Sequence, residues 1–348
     1  MKKTALILVG LVSLGLMLAQ QQPKSKAPDQ GYVPEGWMPH EGGLLKYRVA
    51  IRFGEEPDTM PAGYKFGRVS SVTTDSKGEV YVFHRGKHAP AVVVFSADGK
   101  YVRSWGEGFF GNPHGIRADK DDNIWCVDNG HHQVYKFTRD GKLLQTWGIK
   151  DQPGTTNETF KAPTDIAWDR KNQDFFVSDG YGNSRVMKFN KDGKFLTTWG
   201  KPGSNPGEFH TVHSVATDSK GRVYVSDREN NRIQIFNANG EFVKQWTHLG
   251  ATQGVYITAK DEMWVLTHRN NVENITYDTL AGRLMKLDLE TGKVVGAMES
   301  PGHHFSIKES TGEIFVGSLT GNAFRWYPGW MDRNAAAKAE KNGPKKNN

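Results

Sequence analysis

Residues 212–246 read VHSVATDSKGRVYVSDRENNRIQIFNANGEFVKQW, and this stretch decides the fold. After Gly221 comes an alternating run, Val223-Tyr224-Val225-Ser226-Asp227, then a second, Arg232-Ile233-Gln234-Ile235-Phe236. An Asn239-Gly240 turn leads into a third run that ends at Trp246. With the segment before the glycine turn, this makes four short strands. Apolar residues with a period of two mark strands, and an Asx-Gly pair between two such runs marks a tight hairpin.

Working outward, the same order returns every forty to fifty residues, with Asp98-Gly99, Asp140-Gly141 and Asp192-Gly193 in the hairpin position. A period of that length predicts a solenoid or propeller. Nothing between residues 44 and 327 carries sustained helical periodicity. Six units can be counted, and the last lacks an outer strand, because Asn322 to Trp326 run into Pro328 and a polar tail. The stretch Tyr47 to Gly54 resembles Lys194 to Gly200 and is expected to pair with the final unit. Such pairing closes the ring and removes the open sheet edges that invite aggregation. The expected fold is therefore an all-β, six-bladed β-propeller over residues 44–330.

The flanks read differently. Met1-Lys2-Lys3 followed by an apolar run to Ala19 has the pattern of a secretory signal over residues 1–19. Residues 20–43 are rich in Gln, Pro, Gly and Lys and read as a flexible leader, and residues 331–348 as a disordered basic tail. The expected localisation is exported, periplasmic or secreted, with no stable membrane span. No cysteine follows the apolar run, which argues against a lipid anchor. Cys126 stands alone, so no intramolecular disulfide can form. The net charge of +7 sits largely in the flanks, +2 on Lys2 and Lys3 and +3 in the tail from Asp332, which leaves the body near +2. Nucleic-acid binding needs a concentrated basic face, and the body offers none.

The function is read from histidines. His114, His213 and His304 each lie ten residues before the apolar start of the following strand, in alternate units. Ser70, Thr164 and Gln253 hold the slot in the other units. In a closed ring this puts three imidazoles about a third of a turn apart around the channel. Three neutral imidazoles with a fourth position open is the donor set of a catalytic zinc, although ligand type alone also admits iron or copper. His303 is the fallback for the third place. His84, His88, His131 and His132 fall off the slot and are expected to serve hydrogen bonding or the surface.

Phe83-His84-Arg85-Gly86, Asn112-Pro113-His114-Gly115, Val177 to Arg185 (VSDGYGNSR) and Ser226 to Gln234 (SDRENNRIQ) resemble the core of the peptidyl-α-hydroxyglycine α-amidating lyases, which are six-bladed propellers of the NHL-repeat type. The similarity runs through most of residues 66–326. The resemblance implies that His114, His213 and His304 hold Zn2+, that Tyr181 is the catalytic base, that Arg85 meets the substrate carboxylate, and that Arg228 assists in the same mouth. The implied reaction splits the C–N bond of a peptidyl-α-hydroxyglycine into an amide and glyoxylate. Around the third ligand the family reads Met-Pro-His-Asp where this chain has Gly302-His303-His304-Phe305, and loss of that Asp speaks against a structural Ca2+. No stretch reads as a copper monooxygenase domain, so the resemblance implies a separate monooxygenase partner, or another α-hydroxy amide as substrate. Two other readings stay open: a lactonase-like metal-dependent propeller hydrolase, and a non-catalytic NHL module that binds a protein or glycan.

Overall fold

The computed structural model describes residues 47–53, 60–267, 282–300 and 302–328, with the backbone alone for 47–53. The signal, leader and tail expected from the sequence lie outside the described residues.

Twenty-four strands form six antiparallel four-stranded sheets. Their innermost strands are Val69–Thr74, Pro113–Ala118, Asp165–Trp168, Val212–Thr217, Thr252–Ile257 and His304–Lys308, and these number the blades 1 to 6. Tyr47–Phe53 pairs antiparallel with Asn322–Pro328 and supplies the fourth strand of blade 6, so the ring closes as the sequence predicts.

The period-2 pattern does more here than separate an inside from an outside. Val223 and Val225 of blade 4 pack with Phe176 and Val186 of blade 3, whereas Tyr224, Ile233 and Ile235 pack with Val255 and Met263 of blade 5. Both faces of the blade are thus buried between neighbours. Six apolar clusters result, one for each blade-to-blade contact. The hairpin glycines join this packing: Gly240 has φ +86°, and a Cβ there would strike the Trp199 ring of the preceding blade. A glycine is needed at that position for both reasons. Among the described residues no helix is long and apolar enough to cross a membrane.

Candidate metal centre

The slot at the entry to each inner strand is a feature of the backbone. In blades 1, 2, 4 and 5 the pairing register skips one residue, stepping over Ser70, His114, His213 and Gln253 as a β-bulge. A bulge frees a residue from the ladder and re-aims its side chain. The residue after the slot then pairs with the second strand: Gly115 with Val127, Ser214 with Ser226, and in blade 6 His304 with Gly317. His303, not His304, is therefore the third slot residue, and its N–H donates to the Gly317 carbonyl as that of Thr164 does to Ser178. The spacing count selects His304 because the inner hairpin of blade 6 is one residue longer. It closes from Gly312 N–H to Lys308 O, where blade 4 closes from Gly221 to Asp218. The signal was present in the sequence as the seven-residue step from Ile307 to Ile314, against six from Thr217 to Val223.

Hydrogen bonds show the same threefold pattern. The Nδ1 of His114, His213 and His303 each lies 2.7 Å from the slot carbonyl of the next blade, on Thr164, Gln253 and Ser70. A carbonyl only accepts, so each Nδ1 carries the proton and each Nε2 presents a lone pair. The three ring centroids are 4.7 to 5.0 Å apart. His304 lies 4.9 to 5.2 Å from all three, one residue further along its strand. The four side chains are buried, and one ligand atom from each falls within a 4.8 Å spread. At the usual Zn–N length of about 2.1 Å, two ligands of a tetrahedral ion stand ~3.4 Å apart, so closure asks the widest pair to draw in by no more than ~1.4 Å. A buried His cluster that could bind a metal ion is thus present.

Tyr181 caps the cluster. Its Oη is 3.0 Å from His213 Nε2 and 3.3 Å from His114 Nε2. The SDGYGNSR loop is pressed into this position: a Cβ on Gly180 would run into the Val212 carbonyl, and one on Gly182 into Lys161. Asp179 anchors the loop by accepting from Lys161 N, Asn183 and Arg185. Arg228 donates from Nη1 to the Tyr181 Oη at 3.1 Å, with its guanidinium 5.3 Å from the ring centre. Arg85 donates its Nε to the Pro113 carbonyl beside His114, and its terminal nitrogens take no hydrogen-bond partner among the described residues. Burial lowers the Arg85 pKa, and the nearby Tyr181 acts against that shift. The four histidines, Tyr181 and Arg228 are thus joined in one cluster, with Arg85 held beside His114 through the Pro113 carbonyl.

The NHL repeat profile matches residues 110–137 and 209–236, in blades 2 and 4, where His114 and His213 sit. The chain is a six-bladed β-propeller with NHL repeats in two of its blades. The propeller is 34% identical over 209 residues to the Xenopus laevis peptidyl-glycine alpha-amidating monooxygenase B, covering 52% of this chain and 24% of that one. It is 35% identical over 163 residues to the Drosophila melanogaster peptidyl-alpha-hydroxyglycine alpha-amidating lyase 1, with 39% and 30% coverage. The match to human NHL repeat-containing protein 3 is 33% over 198 residues, with 53% and 55% coverage. The aligned part thus spans between about a quarter and about half of these relatives' lengths. A streptogramin B lyase structure superposes with TM-score 0.53 over 81% of this chain and 98% of that one, at 13% identity, a likeness of fold alone.

Below the imidazoles the propeller holds a pair that sequence reading missed. Arg117 of blade 2 makes a fork to Asp165 of blade 3, at 3.0 and 2.7 Å, and donates to the Phe305 carbonyl of blade 6 at 3.0 Å. Asp165 also accepts from Ser214 Oγ of blade 4 at 2.6 Å. Arg117 and Asp165 are 48 positions apart on different blades, and no local pattern links them. The off-slot histidines behave as expected: His84 accepts Gly86 N–H at Nδ1, His131 pairs with Asp151, His132 accepts Ala162 N–H, and His88 is exposed.

Burial holds the His114, His213 and His304 pKa values well below 6.5, with neighbouring charges acting in the same direction, and burial lowers His84 to about 4. The unfolded chain takes up protons at these residues near pH 6.5, and the folded metal-free chain does not. Their stabilisation is therefore complete above that pH and is lost as pH falls towards the folded values. His84 alone corresponds to about 3 kcal/mol between pH 6.5 and 4. The urea midpoint of chelator-treated protein is expected to drop steadily from pH 7 to pH 5, and a flat midpoint would contradict these neutral buried imidazoles.

Proposed function

We propose that this propeller is an exported, zinc-dependent carbon–nitrogen lyase that converts a peptidyl-α-hydroxyglycine, or a close α-hydroxy amide, into the amide and glyoxylate. One observation carries the reading: Tyr181 Oη lies within hydrogen-bond distance of two cluster imidazoles and of Arg228. The donor set fits the metal, since the slot imidazoles are neutral and turn lone pairs towards one another. Zn2+ held there by His114, His213 and His303 would supply Lewis acidity to the substrate hydroxyl.

The chain's own residues do the rest. Arg85 receives the substrate carboxylate on its two terminal nitrogens, a planar match that a lysine would not give. This fixes the hydroxyl-bearing carbon next to Tyr181. Acting as a phenolate, Tyr181 takes the hydroxyl proton on Oη, the C–N bond breaks as the C=O of glyoxylate forms, and Oη returns that same proton to the departing amide nitrogen. No water is consumed, and the atoms balance as one substrate giving two products. Arg228, donating to the same Oη, supports negative charge on it during the transfer. A separate monooxygenase would supply the hydroxylated substrate, and the partner of the site is a small molecule or peptide.

The direct test is glyoxylate release from an N-acyl-α-hydroxyglycine by zinc-loaded protein, with and without chelator. Chelator-sensitive release well above the spontaneous rate is expected. Tyr181→Phe should lower kcat by about 10²–10⁴ while leaving bound zinc unchanged, the range for losing a positioned acid–base group. Full activity in Tyr181→Phe would remove the base from this scheme.

A further inference from the structure

His304 is odd among the four imidazoles. Both of its ring nitrogens are buried and have no hydrogen-bond partner among the described residues, whereas each nitrogen of His114 and His213 has a partner atom within hydrogen-bond distance. An unpaired buried nitrogen is a standing cost that an apolar residue at the same place would avoid. Blades 2 and 5 carry Gly115 and Gly254 at the equivalent position after the slot, so the fold does not demand an imidazole there. The ring nonetheless stands about 5 Å from each of the three slot imidazoles, which are themselves about 5 Å apart, and so occupies the fourth corner of a near-regular tetrahedron of rings.

Its orientation follows the same plan. In the slot residues Nδ1 faces a backbone carbonyl. In His304 Nδ1 faces the Asp165 carboxylate at 3.9 Å, too far for a hydrogen bond and near enough to become one on a slight tilt of the ring. A carboxylate behind the Nδ1 of a metal-bound imidazole is the usual outer-shell partner, fixing the tautomer that leaves Nε2 for the ion.

We propose that His304 is a fourth protein ligand, giving a four-imidazole site for a borderline divalent ion, with Asp165 as its outer-shell partner. This inference rests on the metal-dependent reading above and deepens it. Four neutral nitrogen donors suit Zn2+, Cu2+, Ni2+ or Fe2+ and exclude Ca2+ and Mg2+, which require oxygen. The four imidazoles would hold the ion, and Tyr181 with Arg228 would receive the substrate beside it.

The test is metal binding. Zn2+ affinity is measured on the full chain by competition with a chromophoric chelator, and imidazoles are counted by X-ray absorption at the zinc edge. Four imidazoles are expected in the wild type and three in His304→Gln, whose affinity should fall by roughly a hundredfold or more, beyond what an outer-shell partner contributes. Three imidazoles in both proteins, or equal affinities, would overturn the fourth ligand while leaving the three-histidine reading in place. Should His304→Gln not fold, the wild-type count decides alone. A wild-type chain that takes up no Zn2+ overturns the metal reading itself, and this shows before any variant is made.

Discussion

His213→Ala is expected to abolish Zn2+ binding and, with it, the glyoxylate release that the proposed function requires. His213 is fully buried on blade 4, with Nδ1 tied to the Gln253 carbonyl and Nε2 to Tyr181. Truncation removes a ligand and also loosens the base that the same nitrogen positions. The loss in Zn2+ affinity should exceed the roughly 10–100-fold attributed to outer-shell partners, and glyoxylate release should fall to background. Stability is a separate matter. The stranded Gln253 carbonyl costs about 1–3 kcal/mol. The variant is therefore expected to fold, as a thermal melt would verify. Added imidazole, filling the space left by the ring, should restore part of the metal binding. A module that only binds a protein or glycan over one face of the ring would lose nothing in this variant, so retained partner binding with no metal in either protein would favour that alternative.

How much of this was legible in the sequence depends on how local each signal is. Strands, turns and ring closure were readable because each rests on a short pattern: the alternation at Val223 to Asp227, the Asx-Gly turns, and the likeness of Tyr47 to Gly54 to an outer strand. The slot was readable as a recurrence, but its occupant in blade 6 was not fixed by counting back from the following strand. That count passes through a hairpin one residue longer, and the β-pairing of His304 with Gly317 puts His303 in the slot. Counting instead along the inner strand, from Ile307, keeps the register. Tyr181 and Arg228 were legible only through family resemblance, because the contact between them joins the loops of blades 3 and 4, 47 positions apart. The Arg117–Asp165 pair was not legible at all. Arg117 lies between Ile116 and Ala118 on an inner strand, and Asp165 comes beside it only when blades 2 and 3 pack in the closed ring.

That arginine carries the larger stability prediction. Arg117 is buried, and its pKa is raised: burial works against the charge, but the Asp165 carboxylate outweighs it. The guanidinium ties blade 2 to blades 3 and 6 and lies 5.8 Å from the Tyr256 ring of blade 5. Arg117→Ala would leave Asp165 buried with Ser214 as its remaining side-chain donor. Breaking one side of a buried pair costs about 3–5 kcal/mol, and for a domain of this size that is a fall in Tm on the order of 10 °C. Removing both charges is a different perturbation. Arg117→Met with Asp165→Leu replaces the pair by apolar groups of similar volume, which is often neutral for buried pairs, so its Tm should lie well above that of Arg117→Ala. If the pair serves stability alone, the double variant should also bind Zn2+ as the wild type does. If Asp165 holds His304 in place, the double variant should regain its melting temperature while losing about tenfold or more in Zn2+ affinity. A double variant that melts as low as Arg117→Ala would mean instead that the single hydrogen bond from Arg117 to the Phe305 carbonyl, rather than compensation of a buried charge, is what holds blades 2 and 6 in register.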